Sequence, residues 1–519
     1  MQADDEFVAK RKTLGWRGDL VALGAGAMLP LSFAPYNYWF FGLLAVGLLA
    51  QLLRDLSSKR TWLRSLVFGL GMYGTGVSWV YISIHDFGFT GAAPAALMTA
   101  AFVSFLALVF SLPFILYGRC VAKSRTAVLL GFPAIWVLGE WSRSWFLTGF
   151  PWLFMGYGHI SSPLGGWAPL AGVYAVSFAA VFTSTALGFL LLYLEKRLRK
   201  NTLHNLSISY VSILLGITIF IWSAGFGLKN IAWTSYSEED KLTVSIVQPN
   251  IPLALKWNPL YRPQIVKTLL SLSSKHWDSD IILWPEAAIP FMYHDADGFV
   301  AELEHLASEN NTALIAGILY DDTEEEKYYN SIMGIGAAEN IYFKQRLVPF
   351  GEYVPLEAML RGIIAFFDLP NSVINRGPPH QANLKARDFE VAPYICYEVV
   401  YPDLVAANLG KAAVMVTISN DAWFGNSIGP LQHFQMAQMR ALEHGKFMIR
   451  GTNTGLSGII NDKGEITLTG TQFVAETLAG EVYRTHGHTP FSFTHSWPII
   501  ILCVLLFLLA CMLKRQHTD

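Results

Sequence analysis

Three apolar runs in the second half of the chain end in side chains that can do chemistry: Glu286, Lys344 and Cys396. A glutamate beside Trp284 and Pro285 is poorly solvated, which should raise its pKa towards that of a general base. A lysine on an apolar strand, as predicted for Lys344, can stabilise a developing oxyanion. A cysteine in a strand-to-helix turn is an exposed nucleophile, and the helix N–H groups should lower its thiol pKa.

Each of these residues also has a purely structural interpretation. Glu286 alone could be a solvated loop residue, Lys344 a lysine at a strand edge, and Cys396 a buried structural thiol. Two observations favour a reactive Cys396. Polar Tyr397 and Glu398 follow it directly, and it is predicted to lie outside the cytoplasm, where unpaired thiols risk oxidation. The other three cysteines of the chain fall in or beside apolar runs, so Cys396 has no local disulfide partner.

The composition indicates a membrane protein. Of the 519 residues, 53% are hydrophobic and only 15% are charged, whereas an average soluble domain has about 25% charged residues. Apolar runs of the length needed to cross a bilayer predict eight membrane helices. They lie near residues 18–34, 38–54, 62–83, 91–117, 125–141, 168–194, 207–227 and 496–513.

Lysine and arginine cluster at every second loop between these predicted spans. The clusters include Lys10, Arg11 and Lys12, then Arg54, Lys59, Arg60 and Arg64, then Arg119 and Lys123, then Lys196, Arg197 and Lys200, and finally Lys514 and Arg515. The loops 34–39 and 85–91 contain neither residue type. The positive-inside rule then puts both termini in the cytoplasm and residues 228–495 on the far side, which is the periplasm in a bacterium.

Residues 241–486 alternate short apolar strands with helices, which predicts a sheet buried between helical layers. The predicted strands are 242–248, 281–284, 313–319, 331–335, 391–395, 414–418 and 446–450, and the predicted helices are 263–272, 298–308, 399–409 and 432–444. The domains are thus predicted as a seven-helix transmembrane region at 1–228, a water-exposed catalytic domain at 229–490, and an eighth helix with its tail at 491–519.

Several function classes find no support in the sequence. No His-x-x-x-His or Cys-x-x-Cys spacing indicates a metal site, and no Gly-x-x-x-x-Gly-Lys indicates a nucleotide, so neither a metal nor a cofactor is expected. A serine hydrolase would need a Gly-x-Ser-x-Gly motif. No basic block with interleaved aromatics suggests a nucleic-acid partner.

In their order along the chain, Glu286, Lys344 and Cys396 resemble the catalytic triad of the nitrilase, or carbon–nitrogen hydrolase, superfamily. This resemblance implies a four-layer α-β-β-α sandwich. It also implies that Glu286 is the base, that Lys344 supports the oxyanion and that Cys396 is the nucleophile that carries the acyl group.

A closer resemblance covers nearly the whole chain. The stretches that carry it are Ser78-Trp79-Val80-Tyr81, Gly149-Phe150-Pro151-Trp152, Gln248-Pro249-Asn250-Ile251, Lys256-Trp257, Leu347-Val348-Pro349-Phe350-Gly351-Glu352, Cys396-Tyr397-Glu398, Ser419-Asn420-Asp421-Ala422-Trp423-Phe424-Gly425, Arg440-Ala441-Leu442-Glu443 and Asn453-Thr454-Gly455. They look like the apolipoprotein N-acyltransferase family of bacterial inner-membrane enzymes, which also has eight spans with the catalytic domain between the seventh and the eighth. Arg346 departs from the histidine that many relatives carry there.

This resemblance implies transfer of a fatty acyl chain from a phospholipid to the α-amino group of the N-terminal diacylglyceryl-cysteine of an apolipoprotein. The transfer would run by a ping-pong mechanism through a thioester on Cys396, which suits two bulky lipid substrates that share one pocket. The expected partners are the phospholipid donor, the apolipoprotein acceptor and the membrane. No further interface is evident in the sequence, which favours a monomer.

The resemblance also assigns supporting residues. Trp257, Glu352, Tyr397 and Glu398 match positions regarded as important in the family. The pair Trp423 and Phe424 could hold acyl chains, against the alternative of ordinary core packing, and Arg143 could meet a lipid phosphate.

Two other functions stay open on the sequence alone. A membrane-tethered amidase or nitrilase that hydrolyses a small substrate would use the same triad, although a tether needs only one span. A transporter or scaffold would need no triad, but the apolar spans carry few of the charges that line transport pathways.

Overall fold

A computed structural model describes residues 15–121, 125–198, 208–353 and 374–515, so Lys10, Arg11, Lys12, Lys123 and Lys200 lie outside the described residues. The chain forms two compact units. The helical unit holds the described residues up to His85, then Gly91–Ile231, and the chain from Ser496 onwards. The sandwich unit holds Ala232–His495 together with Asp86–Thr90. The segment Asp86–Thr90 therefore belongs to the sandwich unit, although it lies within residues 1–228, which were predicted to form the seven-helix region.

The helical unit has a helix at each predicted apolar stretch. The helices are α1 (Gly15–Met28), α2 (Trp39–Leu52), α3 (Ser58–Gly76), α4 (Ala92–Ser111), α5 (Arg125–Ser142), α6 (Ala168–Leu198), α7 (Ile208–Lys229) and the C-terminal helix Trp497–Arg515. Shorter helical pieces are Leu29–Ser32, Val80–Ile82, Ser83–Phe87, Pro113–Cys120, Phe146–Thr148, Met155–His159 and Pro163–Trp167.

Length and composition qualify fewer of these helices as membrane spans. Among the described residues, the helices long and apolar enough to cross a membrane are Ala92–Cys120, Pro163–Glu195 and Ile208–Lys229. A fourth is obtained if Ser58–Gly76 and Val80–Phe87, which meet at a bend of 62°, form one broken span. Three further helices are apolar but shorter, namely Trp39–Leu52, Thr126–Ser142 and Trp497–Leu513. The chain thus has the helices of an integral membrane protein, and the count of eight spans stays a prediction.

Helices α1 and α3 approach each other closely because glycines face the contact. A Cβ on Gly26 would lie 2.0 Å from the carbonyl oxygen of Phe68, so only glycine fits at that position. Small residues at such crossings are typical of membrane helices, which gain packing contacts when their backbones approach. The same pair of helices is joined by an ion pair of 3.0 Å between Arg64 Nε and Asp19 Oδ1.

The sandwich unit contains two mixed β-sheets. The strands are β1 (Lys241–Gln248), β2 (Ile281–Leu283), β3 (Ala313–Asp322), β4 (Lys327–Gly336), β5 (Ala338–Glu339), β6 (Ile341–Phe343), β7 (Leu384–Ala386), β8 (Phe389–Ile395), β9 (Val414–Ser419), β10 (Met448–Thr452), β11 (Gly458–Ile460), β12 (Ile466–Thr469) and β13 (Glu476–Tyr483). The first sheet has the order β13-β1-β2-β3-β4-β6 and the second the order β12-β11-β10-β9-β8-β7-β5. In each sheet the central strands are parallel and the outer ones antiparallel.

The two sheets pack face to face through alternating side chains. On β8, Val391 and Ile395 point into the core between the sheets, where they meet residues of the first sheet such as Ile246. Tyr394 points the other way, and its hydroxyl donates to the carbonyl of Val405 on the outer layer. This period of two is what a strand with both faces covered requires.

Helices cover both outer faces of the sandwich. They are α8 (Arg262–Ser273), α9 (Asp297–Glu309), α10 (Pro402–Asn408) and α11 (Gly429–His444), with shorter pieces at Glu238–Asp240, Leu253–Lys256, Pro259–Tyr261, Cys396–Val400, Asp421–Phe424 and Pro490–Thr494. Leu269 of α8 and Leu303 of α9 pack on the outer side of the first sheet. The predicted α-β-β-α layering is therefore observed.

Sequence periodicity located most elements but misplaced some ends. All seven predicted strands have a counterpart, yet the last begins at Met448 rather than at residue 446. Lys344 does not lie on a strand, because β6 ends at Phe343. The helix predicted over 399–409 is a 3-10 turn, Cys396–Val400, followed by a separate helix that begins at Pro402, where proline is favoured in a first turn. Five strands have no predicted counterpart, namely β5, β7, β11, β12 and β13.

The core between the sheets should control the stability of the sandwich unit. Ile246 is fully buried there, so Ile246→Ala should destabilise the unit by about 2–5 kcal/mol through lost contacts and a cavity. Ile466, which is 42% exposed on edge strand β12, gives the matched control, and Ile466→Ala should change stability by less than about 0.5 kcal/mol. Thermal melting of the full chain in detergent, followed by near-UV circular dichroism, measures both. Equal melting temperatures for the two variants would contradict the assignment of the core.

Candidate active site

Glu286, Lys344 and Cys396 each follow a strand of the sandwich unit directly. Glu286 comes three residues after β2, Lys344 one residue after β6, and Cys396 one residue after β8. Side chains at strand ends are positioned by the rigid sheet, and the backbone N–H of Lys344 still donates to the carbonyl of Asn330 on β4 at 2.8 Å. The structure brings all three together: Lys344 Nζ lies 3.3 Å from Glu286 Oε1, and both charges act on the thiol of Cys396.

The carboxylate of Glu286 is buried and fully hydrogen-bonded. Its Oε1 accepts from Lys344 Nζ and, at 2.7 Å, from Asn330 Nδ2. Its Oε2 accepts from the backbone N–H of Asn420 at 2.7 Å. The backbone carbonyl of the same residue accepts from Lys256 Nζ at 2.8 Å. Four different segments therefore fix the position of Glu286.

A second carboxylate, Glu352, completes the cluster around the lysine. Its Oε1 accepts from Lys344 Nζ at 2.9 Å and from Asn330 Nδ2 at 3.0 Å. Its Oε2 accepts from the backbone N–H of Val348 at 2.8 Å. Glu352 therefore pairs both with Lys344 and with the backbone of the loop at Val348. Lys344, which is 1% exposed, thus bridges two carboxylates.

These contacts set the charge of each group. Burial alone would raise the pKa of Glu286, but the Lys344 ammonium, the Asn330 amide and the Lys256 ammonium hold it below its ordinary value. The expectation of a raised pKa, drawn from Trp284 and Pro285, was therefore wrong. Burial would likewise lower the pKa of Lys344, but the carboxylates of Glu352 and Glu286 hold it above its ordinary value. The base is ionised and the lysine is charged.

Cys396 has a strained backbone and a neutral thiol. Its φ is +51°, in the left-handed region that residues with a Cβ rarely adopt, and it opens the 3-10 turn Cys396–Val400. Burial raises the thiol pKa, the Glu286 carboxylate raises it further, and the Lys344 ammonium opposes them. The expected lowering of the thiol pKa was wrong. The nucleophile therefore rests as a thiol beside an ionised carboxylate that can take its proton.

Glu398 ties the lysine loop to the cysteine turn. Its Oε2 accepts from the backbone N–H of Ile395 at 2.8 Å, and its Oε1 accepts from those of Gln345 at 2.6 Å and Arg346 at 3.2 Å. The hydroxyl of Tyr342 also donates to Oε1 at 3.1 Å. Burial raises the pKa of Glu398 to about 7 against the opposing effect of these backbone donors. The Glu398 carboxyl group therefore fixes the lysine loop and the cysteine turn relative to each other.

The other predicted residues of the sandwich unit have these surroundings. Trp257 is partly buried, and the Lys256 ammonium lies 6.0 Å from its ring centroid. Tyr397 is buried, with its ring edge-to-face on another tyrosine at 5.2 Å. Trp423 and Phe424 lie in the 3-10 turn after β9. Both are partly buried, so the choice between holding acyl chains and core packing stays open.

The aromatic turn contacts two further rings. Trp423 meets Phe87, from the short segment Asp86–Thr90, at a centroid distance of 6.0 Å. Phe424 meets His433 at 6.1 Å. Since Asn420 of the same loop donates to Glu286, this turn is connected directly to the cluster.

Arg143 belongs to the helical unit. Its guanidinium is buried against the rings of Tyr73, Phe110 and Phe154, with centroid distances of 5.2–5.8 Å. It donates to the Tyr73 hydroxyl and to the carbonyl of Gly139. These internal partners favour a packing role over the predicted contact with a lipid phosphate.

Sequence reasoning missed several residues that complete the site. Asn330 lies within β4 and gave no signal, although its amide serves both carboxylates. Lys256 and Asn420 stood in quoted motifs without an assigned role, and burial lowers the pKa of Lys256 to about 8. Within the described residues, no group of three or more His, Cys, Asp or Glu side chains is arranged to hold a metal ion.

The arrangement suits covalent transfer of an acyl group. A thiol can add to a carbonyl carbon, an ionised carboxylate can remove the thiol proton, and a fixed ammonium can stabilise the oxyanion. The same carboxyl group can return the proton to the departing atom. Nothing in this cycle consumes a nucleotide.

Comparison with known proteins extends this conclusion to the whole chain. Residues 25–186 match the family model of the apolipoprotein N-acyltransferase N-terminal domain, and residues 243–486 match that of carbon-nitrogen hydrolase. The sandwich unit is therefore a nitrilase-type domain. Curated relatives named apolipoprotein N-acyltransferase include proteins of Pseudomonas aeruginosa strain LESB58 (43% identical, covering 97% of each chain) and Azotobacter vinelandii (42% identical, covering 97% of this chain and 96% of the relative). With this identity over nearly its full length, the chain belongs to the apolipoprotein N-acyltransferase family.

Proposed function

We propose that this membrane enzyme transfers a fatty acyl chain from a phospholipid to the α-amino group of the diacylglyceryl-cysteine at the N-terminus of an apolipoprotein. The observation that carries the proposal is the strained, neutral Cys396 beside the ionised pair of Glu286 and Lys344. Membership of the family supplies the class of donor and acceptor. The apolar helices support a location in the bilayer, where both lipids reside.

In the first half-reaction, Cys396 Sγ attacks the ester carbonyl of the phospholipid while Glu286 takes the thiol proton. The carbonyl oxygen becomes an oxyanion beside the Lys344 ammonium. When the tetrahedral intermediate collapses, the C–O bond breaks and Glu286 returns the proton to the leaving alkoxide. Lysophospholipid departs, and the acyl group stays on Cys396 as a thioester.

In the second half-reaction, the α-amine of the apolipoprotein attacks the thioester carbonyl. Glu286, ionised again, takes a proton from the amine, and the C–S bond breaks as the proton passes to the sulfur. The products are an amide and the free thiol of Cys396. Because an amide is more stable than a thioester, transfer needs no other energy source.

The remaining residues support this cycle. Glu352 and Asn330 hold Lys344 and Glu286 at their distances, and Glu398 holds the lysine loop against the cysteine turn. Further proposals are that Trp423 and Phe424, which are only partly buried, hold the acyl chains, and that Trp257 and Tyr397 support substrate binding.

The enzyme is proposed to lie in the bacterial inner membrane as a monomer with eight spans. The basic clusters of alternate loops put both termini in the cytoplasm and the sandwich unit in the periplasm. The donor and acceptor would both be membrane-anchored lipids on that side.

The covalent intermediate gives the central test. Purified protein incubated with a dipalmitoyl phospholipid should gain one palmitoyl group on Cys396, visible by intact mass and peptide mapping and released by neutral hydroxylamine. Cys396→Ala should gain none, whereas Cys120→Ala, at a cysteine of the helical unit, should behave as wild type. Adding a diacylglyceryl-cysteine peptide should discharge the thioester into an amide. A wild-type protein that gains no acyl group, or passes it only to water as a hydrolase does, would refute the proposal.

The base can be tested separately from the nucleophile. Glu286→Gln keeps the shape of the side chain but cannot take a proton, so acylation of Cys396 should slow by about 10²–10⁴-fold. Glu339→Gln, at an exposed glutamate on β5, is the matched control and should leave the rate unchanged. Quenched-flow mass spectrometry gives both rates. If Glu286→Gln acylates as fast as the control, another group is the base.

Orientation can be tested by labelling from one side of the membrane. In a cysteine-free background, Lys385→Cys on β7 of the sandwich unit should react with a membrane-impermeant maleimide in intact spheroplasts. Lys59→Cys, in a basic cluster at the start of α3, should react only after the membrane is permeabilised. The reverse pattern would place the catalytic domain in the cytoplasm.

A further inference from the structure

The backbone of Cys396 is held from both sides. On the N-terminal side, the N–H of Ile395 donates to Glu398. On the C-terminal side, the imidazole Nε2 of His433 lies 3.1 Å from the carbonyl oxygen of Cys396. A residue at φ +51° stays in that conformation only if surrounding contacts hold it there. The contact from His433 comes from α11, an element 37 residues away in the chain.

His433 is itself fixed by a buried ion pair. The side chains of Asp421 and Arg450 are fully buried, and Arg450 Nη2 donates to Asp421 Oδ2 at 2.8 Å. The same Nη2 lies 3.0 Å from His433 Nδ1. Asp421 Oδ1, which lies 3.2 Å from Nδ1, accepts from the hydroxyl of Ser419 at 2.6 Å.

These contacts determine which ring nitrogen carries the hydrogen. The carbonyl oxygen of Cys396 can only accept, so its contact with Nε2 requires the hydrogen on Nε2. In the neutral ring, Nδ1 then accepts from Arg450, which can only donate. Burial, and then the charge of Arg450, lower the pKa of His433, so the ring is neutral. The Nε2–H group of His433 therefore donates to the carbonyl of Cys396.

We propose that His433 is a positioning residue for the nucleophile. Its Nε2–H fixes the peptide that follows Cys396 and so keeps Sγ aimed at the carbonyl carbon under attack, while Arg450 and Asp421 fix the ring. The inference rests on the proposed role of Cys396 and deepens it. A histidine that only filled space in the core would need no hydrogen bond to Cys396, whereas the Nε2–H of His433 donates to the carbonyl oxygen of Cys396.

Two polar substitutions separate this role from packing. His433→Gln puts an amide near the position of Nε2, within reach of the Cys396 carbonyl, and His433→Asn puts it near Nδ1, out of reach. On the full chain in detergent, the rate of Cys396 acylation by dipalmitoyl phospholipid should stay within about threefold of wild type in the first variant. It should fall about 10- to 100-fold in the second, the loss expected for a reacting atom misplaced by about 1 Å. The concentration of phospholipid at half-maximal rate should not change.

Alkylation by iodoacetamide, read at Cys396 by peptide mapping, gives a second rate that does not depend on the identity of the acyl donor. The alkylation rate should also stay close to wild type in His433→Gln and fall in His433→Asn. If wild type fails to acylate but the alkylation order holds, the proposed function fails and the positioning role stands. His444→Gln is the matched control, because His444 is a buried histidine of the same helix that contacts Ser492, and both of its rates should equal those of wild type.

Three outcomes would overturn the role of His433. Equal rates for His433→Gln and His433→Asn would show that the reach of the donor is irrelevant. A loss confined to the half-maximal phospholipid concentration would indicate a binding effect. A fall in rate that parallels the fall in melting temperature across all three variants, His444→Gln included, would reduce His433 to a packing residue.

Discussion

The site depends on the charge of Lys344, which lies between the buried carboxylate of Glu286 and the partly buried carboxylate of Glu352. Glu286 and Glu352 lie 3.3 and 2.9 Å from its Nζ, and without that charge they would be like charges sharing one buried space. Removing one partner of a buried ion pair typically costs about 3–5 kcal/mol, because the remaining charge is left unpaired. Lys256 adds a second positive charge near Glu286, so two cations face two anions. This balance keeps Glu286 ionised in a place where burial alone would protonate it.

The balance also explains the geometry of the fold around the site. Glu286 and Lys344 follow strands of the first sheet, whereas Cys396 follows a strand of the second. The nucleophile therefore meets its base only because the two sheets are packed face to face. Glu398 and the backbone of Asn420 form the links across this boundary, since the former binds the lysine loop and the latter binds Glu286. The core between the sheets thus sets the position of the nucleophile relative to its base.

Local sequence signals predicted the elements and the reactive residues but not the charges. The short apolar run 242–248 located β1, and strand ends located Glu286 and Cys396. The pKa of Glu286 was predicted in the wrong direction, because Trp284 and Pro285 are visible locally whereas Lys344 is 58 residues away. Asn330 gave no signal for a related reason. Its amide reaches the two carboxylates only because β4 pairs with β6, and this pairing puts Asn330 opposite Lys344.

A neutral thiol and an ionised base suit a reaction with two successive nucleophiles. If Cys396 rested as a thiolate because its proton had gone to solvent, Glu286 would hold no proton to give to the leaving alkoxide. With the proton on sulfur, Glu286 takes it during attack and gives it to the leaving alcohol, and so is ionised again when the thioester has formed. The amine then meets the same base in the same state. Burial and the Glu286 carboxylate raise the pKa of Cys396, whereas the Lys344 ammonium holds the pKa of Glu286 down against burial, so the two shifts are complementary.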